Sequence, residues 1–441
     1  MLAGDDLELV QPLRVALLGC GIVGTQVARL MTEQADELAA RAGRPLQLVG
    51  IAALDPHTPR PGVDPALFTS DAASLVAAGP DIVIELMGGI EPAGGLIRDA
   101  IARGASIVTA NKKLLGVQAG ELFAAADAKG VDLYYEAAVA GAIPIIRPLR
   151  ESLVGDEITT VMGIVNGTTN FILEKMTVEG VGFADALAQA QAAGYAEADP
   201  TADVEGLDAA SKAAILARLA FHAPVTVDQV YHEGITSLTQ DDIRAAAGAN
   251  CAIKLLAVAE ALPNGSISVR VHPAMVPLEH PLSSVHGANN AIFVSARQAG
   301  RLMFLGPGAG GVPTASAVIG DLVAVARNRG HGIVGPSQAV DPNRRVAPIG
   351  EAMTRYHLRF RVKDQPGVLA TVATIFAKHH VSVSMVRQMR PSVTDEQSPW
   401  SAELHMATHS APEADQRACV AELTESPVVG DTPRVLRLEG L

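Results

Sequence analysis

From Leu13 to about Ala140, short continuous apolar runs alternate with stretches in which apolar positions recur every three to four residues. The runs Arg14–Leu18, Gln47–Ala53, Asp81–Leu86, Ser106–Ala110 and Asp132–Ala137 read as buried strands. Between them Thr25–Ala40, Gly94–Arg103 and Gln118–Lys129 read as amphipathic helices. Strand, helix, strand at this rhythm predicts an α/β domain over residues 1–143, with a parallel sheet and right-handed crossovers.

The pattern then changes. Residues 144–314 mix short strand candidates, Ile158–Val165, Ile267–His272 and Ala291–Ala296, with the helices Phe183–Ala193 and Leu207–Phe221, the pattern of an α+β domain. Residues 315–330 hold an apolar-periodic helix, Ala315–Arg327, suited to packing back onto the first domain. A linker follows at 331–354, rich in Gly, Pro and Arg and without periodicity. Over 355–441 come strand Tyr356–Val362, helix Val368–His379, strand Val381–Gln388, strand Ser401–Thr408, helix Pro412–Leu423 and strand Arg434–Leu438. That βαββαβ order predicts a ferredoxin-like module.

Composition narrows the class. The 441 residues are 49% hydrophobic and 18% charged, enough for several buried cores without disulfides or a structural metal. No apolar stretch reaches the ~18 residues of a membrane span, and the acidic start MLAGDDLELV lacks the basic region of a secretory signal. With 34 basic and 47 acidic residues the net charge is −13, which disfavours nucleic acid and anionic membrane as partners. Cys20, Cys251 and Cys419 are odd in number and far apart, with no disulfide or zinc spacing; this fits a cytoplasmic protein.

Gly19-Cys20-Gly21-Ile22-Val23-Gly24 lies between the first strand and a helix. There the first glycine permits the tight turn, the second lets backbone approach a pyrophosphate, and the third allows close helix–strand packing. In this strand–helix context the pattern predicts dinucleotide binding on the helix N-terminus. NAD or NADP stays open. Asp55, just past the second strand, suits a ribose 2′-hydroxyl, yet it equally opens the turn Asp55-Pro56-His57, and Arg60 is near enough to neutralise a 2′-phosphate.

Asn111-Lys112-Lys113 follows a strand at the end where α/β sheets bind ligands, so a lysine there can approach the cofactor or stabilise an oxyanion; a solvated surface pair fits the position as well. The segment from Gly194 to Lys212 is richer. Glu197, Asp199, Asp203, Glu205 and Asp208 fall within twelve residues, and one lysine follows. Lys212, Ile215, Leu216 and Leu219 occupy helical positions i, i+3, i+4 and i+7, with Asp208 one turn earlier on the same face. An inward lysine facing a carboxylate has its pKa drawn toward proton-transfer range. A lysine at the stripe's edge, reaching for water, has the same spacing. The run Gly306-Pro307-Gly308-Ala309-Gly310-Gly311, and Asp364-Gln365-Pro366-Gly367-Val368-Leu369 in the last module, each suit either backbone N–H contacts to a ligand or a plain tight turn. No zinc-spaced cluster, Walker A loop or nucleophile elbow is present.

Together these residues resemble the long homoserine dehydrogenases that end in an ACT domain. The resemblance runs through GCGIVG at 19–24, ELMGG at 85–89, TANKK at 109–113 and YEAAVAGAIPII at 135–146. It continues with NGTTNFIL at 166–173, GYAEADPTADVEGLDAASK at 194–212 and GPGAGGVPTASAVIGDL at 306–322. It covers nearly the whole chain; the block at 194–212 is highly specific and the glycine pattern is not. It implies NAD(P)-dependent interconversion of L-homoserine and L-aspartate 4-semialdehyde, within threonine, methionine and isoleucine biosynthesis, on a Rossmann-type domain joined to a catalytic and dimerisation domain. A sensor that binds nucleotide and amino acid without turnover is the alternative, and the carboxylate–lysine segment argues against it.

The resemblance also implies residue roles. Lys212 moves the proton of the substrate hydroxyl, and Lys112 lies near nicotinamide and substrate. Glu197 and Asp208 hold the substrate, and Asp203 is an active-site carboxylate. Gly19, Gly21, Ile22, Val23, Gly24, Arg60, Thr109, Lys112, Gly194 and Gly310 surround the cofactor. Glu136, with the backbone of Val139, Gly141 and Ile143, forms a structural monovalent-cation site suited to Na⁺. Many relatives carry an arginine where this chain has Leu54, which weakens the case for strict NADP preference. The ACT domain implies L-threonine as effector and a homo-oligomer, dimer or tetramer.

Overall fold

The structure is a computed structural model; it describes residues 11–338, 340–389 and 400–440, so the acidic start read above lies outside the described residues. The chain divides into two compact units: residues 1–167, 211–228 and 288–343, and residues 168–210, 229–287 and 344–441.

In the first unit, β1 (Leu13–Leu18), β2 (Leu46–Ala52), β3 (Phe68–Thr69), β4 (Ile82–Glu85), β5 (Ser106–Thr109) and β6 (Leu133–Tyr134) form a sheet in the order β3-β2-β1-β4-β5-β6. Every pair in it is parallel. This is the doubly wound order whose strand direction of travel reverses at β1, the place where such sheets open a ligand crevice. The apolar runs match it: all four residues of β4 and of β5 are buried, as strands covered on both faces require.

The helix expected over Thr25–Ala40 is two helices, Ile22–Glu33 and Ala35–Ala42, because Gln34 leaves helical backbone. Asp36 and Glu37 then sit in the first turn of the second helix, where the dipole favours acidic groups. The strand expected to reach Ala137 stops at Tyr134, and Glu136–Ala138 turns as a 3₁₀ helix. The helix Gly311–His331 runs longer at both ends than the expected Ala315–Arg327, and its Ala315, Val318, Leu322 and Val325 share one core with Val15, Leu17, Val27 and Met31. An antiparallel trio, Ile158–Ile164, Asn289–Ala296 and Gly300–Pro307, completes this unit.

In the second unit, Cys251–Ala261 and Ile267–Pro277 form a long antiparallel hairpin. Arg434–Leu438 pairs parallel with the second hairpin strand and antiparallel with Tyr356–Val362, followed by Ala402–Thr408 and Val383–Met389. The four strands of the last module thus lie in ferredoxin-like order 4-1-3-2, with the helices Val368–Lys378 and Glu413–Glu425 over the face formed by Leu358, Phe360, Leu404 and Met406. All three cysteines are free and buried. Among the described residues no helix is long and apolar enough to cross a membrane, and no three His, Cys, Asp or Glu side chains are arranged to hold a metal.

Candidate active site

The fingerprint loop leaves β1 and enters the helix Ile22–Glu33 through Gly21, with no side chain capping the helix start. Its first N–H groups are therefore left for a ligand. A Cβ on Gly24 would lie 2.2 Å from the Gly19 carbonyl oxygen, so only glycine lets the helix sit this close to the turn. A cavity of about 520 Å³ opens at this end of the sheet, lined by Gly19, Gly21, Leu54, Asp55, Arg60 and Met87 among others. Its size and its bare helix start suit a dinucleotide.

Asp55 and Arg60 stand together at this cavity in different ways. The Asp55 carboxylate accepts hydrogen bonds from the His57 backbone at 3.0 Å and from the Thr58 hydroxyl, which holds its pKa below the usual carboxylate range. It is thus the cap of its own turn. Arg60 donates from Nε to the Cys20 carbonyl at 3.1 Å and from Nη1 to the Asp55 carbonyl at 2.9 Å, with its guanidinium over the Phe68 ring. These contacts fix a positive charge beside the phosphate loop.

The second glycine run, left open by sequence, comes to the same place. A Cβ on Gly311 would meet Ile22 Cγ2 at 2.9 Å, so the start of the helix Gly311–His331, with Gly310 as its N-cap, lies against the start of Ile22–Glu33. Val23 packs inward against the core beneath the loop.

Glu85, quoted only as part of ELMGG, organises the strand ends beside this cavity. It is fully buried and accepts from the backbone of Met87 at 2.8 Å and Gly88 at 3.1 Å, and from the Thr109 hydroxyl at 2.7 Å. Thr109, itself fully buried, thus spends its hydroxyl on Glu85 and accepts the Asn111 N–H at 3.0 Å. Asn111 caps the next helix through Leu114 N–H and reaches the Gly89 carbonyl at 2.7 Å. That fixes the start of the helix Lys112–Lys129, with Lys112 half-buried and Lys113 exposed. The signal for Glu85 was present: a carboxylate ending an otherwise apolar four-residue strand.

Lys212 lies on the helix Leu207–Phe221, whose bounds match the sequence reading. It is 7% exposed, with Ile215, Leu216 and Leu219 buried on its stripe, and its Nζ donates to the Val165 carbonyl at 2.6 Å, at the carboxyl end of the strand Ile158–Ile164. The side chain is thus buried on the stripe rather than reaching for bulk water. In the second unit Gly194 follows the helix Phe183–Ala192 with φ 76°, Glu197 is exposed, and Asp203 and Asp208 are half-buried. Asp208 and Lys212 are one turn apart on the same helix.

Glu136 is buried at the start of the loop that runs to Ile143. Its carboxylate accepts from the backbone of Ile145 at 2.6 Å, Ile146 at 2.7 Å and Arg147 at 3.0 Å, while its N–H donates to Asp321 at 2.7 Å. Burial raises its pKa in spite of these bonds. Ala140 and Gly141 follow with φ 57° and 55°, curling the loop that carries Val139, Gly141 and Ile143.

Comparison with known proteins agrees across the chain. Residues 19–136 match the model of the homoserine dehydrogenase NAD-binding domain, 144–323 that of homoserine dehydrogenase, and 356–418 that of the ACT domain. The homoserine dehydrogenase of Corynebacterium glutamicum is 53% identical over 430 residues, 96% of this chain and 95% of that protein. That of Bacillus subtilis is 39% identical over 98% of this chain and 99% of its own length. The crystal structure of a homoserine dehydrogenase from Thiobacillus denitrificans superposes with a TM-score of 0.90 at 38% identity, covering 97% of this chain and 98% of that one. A hyperthermophilic archaeal homoserine dehydrogenase in complex with NADPH is 27% identical over 71% of this chain and 98% of its own, with a TM-score of 0.61. The chain belongs to the homoserine dehydrogenase family, NAD(P)-dependent oxidoreductases, and carries a C-terminal ACT domain.

Proposed function

We propose that, in the interconversion of L-homoserine and L-aspartate 4-semialdehyde, Lys212 carries the substrate's hydroxyl proton and Lys112 steadies the charge that develops on that oxygen. The bound nicotinamide supplies the hydride acceptor for C4 of homoserine. As hydride leaves, the neutral Lys212 amine takes the hydroxyl proton, and in the reverse direction the ammonium returns it. Glu197, Asp203 and Asp208 hold the ammonium end of the substrate. The observation that carries this reading is a lysine only 7% exposed, seated on an apolar stripe one turn from Asp208. Following nicotinamide absorbance with L-homoserine as substrate tests the reaction.

For the cofactor we infer a preference for NADP, with Arg60 in place of the arginine that Leu54 lacks. The fixed guanidinium supports this, and so does the engagement of Asp55 in its own turn. Gly21, Ile22 and Gly310 supply backbone N–H groups, and Gly19, whose own N–H is given to the Ala52 carbonyl at 2.8 Å, supplies close approach. Arg60→Ala should lower kcat/KM for NADP⁺ by about 10–100-fold, the scale of one charge-assisted contact, and change that for NAD⁺ by less than about threefold. Equal losses with both cofactors would refute the assignment.

A monovalent cation at the 136–143 loop would be met by Glu136 and the main-chain oxygens of Val139, Gly141 and Ile143, with three N–H donors fixing the Glu136 carboxylate. For the ACT domain we infer L-threonine as an inhibitor and a homo-oligomeric assembly. The turn into Val368–Lys378, with Gly367 at φ 92° as N-cap, leaves backbone donors for an amino acid. An L-threonine titration should depress activity; a flat response in the full chain would count against it.

A further inference from the structure

In the second unit the segment that carries Asp203 and Asp208 is braced from behind. Ile235 N–H donates to the Val204 carbonyl at 2.8 Å, and the Thr236 hydroxyl donates to Glu205 at 3.1 Å. A Cβ on Gly234 would stand 2.4 Å from the Val204 oxygen and 2.7 Å from the Glu205 Cα, so the two stretches of backbone are in direct contact. Ile235 is fully buried. Any shift of residues 233–235 is therefore passed to the turn at 204–206, which separates Asp203 from Asp208.

Residues 233–235 are held by the Glu233 N–H on the Val271 carbonyl at 2.8 Å and, at the Glu233 side chain, by an ionic contact. Arg437 grips Glu233 with both ends of its guanidinium, Nη1 at 2.9 Å and Nη2 at 3.0 Å from the two carboxylate oxygens. The same Arg437, 5% exposed, is shared with Glu413, which is fully buried at the start of the helix Glu413–Glu425 and also bonds the Thr354 hydroxyl at 2.7 Å. Tyr231 donates its hydroxyl to Glu233. Both carboxylates are held below their usual pKa, Glu413 down to about 2, chiefly through hydrogen bonds from Arg437 working against burial. The planar fork fixes orientation as well as distance, which a lysine cannot do.

We propose that Glu233, clamped by Arg437 of the last strand, is a positioning residue for homoserine binding. It holds the Val204–Gly206 turn, and with it Asp203 and Asp208, at the spacing the substrate ammonium needs. The ACT module thereby takes part in building the substrate site through Arg437 and Glu413. This rests on the reading of Asp203 and Asp208 as substrate carboxylates.

The test compares the wild-type chain with Glu233→Ala, Glu233→Gln and Arg437→Lys in steady-state kinetics, with melting midpoints measured alongside. Glu233→Ala should raise KM for L-homoserine about tenfold, the scale of a lost charged hydrogen bond. KM for NADP⁺, kcat and the melting midpoint should move less than about twofold or a few degrees. Glu233→Gln keeps one acceptor and should recover most of the affinity. Arg437→Lys keeps a cation for Glu413 but loses the fork, and should reproduce the homoserine-specific defect. An unchanged homoserine KM in folded Glu233→Ala, or equal rises in both KM values, would overturn the proposal. If Glu233→Ala does not fold, the Arg437→Lys result decides in the same terms. A wild-type chain that does not oxidise homoserine at all would instead overturn the functional reading on which the proposal stands.

Discussion

Replacing Lys212 by alanine should lower turnover of L-homoserine by about 10²–10⁴-fold, the range for a single positioned acid–base group. KM for NADP⁺ should stay within a few fold, because the fingerprint loop and Arg60 make no use of this side chain. The argument rests on what a proton acceptor must be here. It has to sit out of bulk water, as a 7% exposed side chain does, and it has to be able to lose its own proton. Lys212→Arg separates the second requirement from the first. A guanidinium retains the charge and a donor toward the Val165 carbonyl but does not deprotonate in a protein, so this variant should be nearly as slow as the alanine one. Lys212→Met preserves the apolar stripe and controls for folding. Turnover within threefold of wild type in a folded Lys212→Ala chain would remove the assignment.

The largest stability effect is expected at Arg147. Its guanidinium donates to Asp321 at 2.8 Å and stands 3.5 Å from Glu136, and both carboxylates are buried. Arg147→Met would leave two buried acids facing each other without a cation, a loss of about 3–5 kcal/mol. The loss should depend on pH. Burial pushes the Asp321 carboxyl up to about 7, against an ordinary value of 3.8. Between about pH 4 and 7 the folded chain therefore holds a proton that the unfolded chain has released, so stability falls as pH rises through that window. Without Arg147 the shift is larger and the window extends upward. Urea denaturation should show a markedly greater deficit at pH 8 than at pH 5; the same deficit at both would contradict the account.

What the sequence made legible, and what it did not, follows from where the deciding contacts lie. The helix Leu207–Phe221 was readable to the residue, since Ile215, Leu216 and Leu219 mark its buried stripe and Pro224 stands beyond its end. The elements of the last module were readable largely from local apolar patterns, such as Tyr356, Leu358, Phe360 and Val362 alternating with polar residues along one strand and packing into one core. The helix Gly167–Val178 was not read at all. Its NGTTN start is rich in residues that disfavour helix, and the packing of Ile172, Leu173 and Met176 overrides that. The strand Cys251–Ala261 was missed for the opposite reason: it is buried on both faces through most of its length, so no alternation marks it. In the site, Lys212 and Gly19–Gly24 carry local patterns. The approach of Gly311 to Ile22, the grip of Arg437 on Glu233 and the Glu136–Arg147–Asp321 group join residues far apart in sequence, and no window of the chain contains them.

The helix Gly311–His331 has a consequence for how the chain is made. Its apolar face completes the core over β1 and the helix Ile22–Glu33. Everything from β1 to β6 leaves the ribosome with that face still bare, and the covering segment emerges only after the intervening residues of the second unit have been synthesised. The nucleotide domain is thus translated ahead of the helix that covers it and cannot be finished until that helix emerges. Its N-terminal stretch waits as a partly exposed intermediate, the kind that chaperones engage. For the same reason a contiguous block ending at β6 would be transplanted with one face of its core uncovered. Covering that face takes the distant helix along with the block.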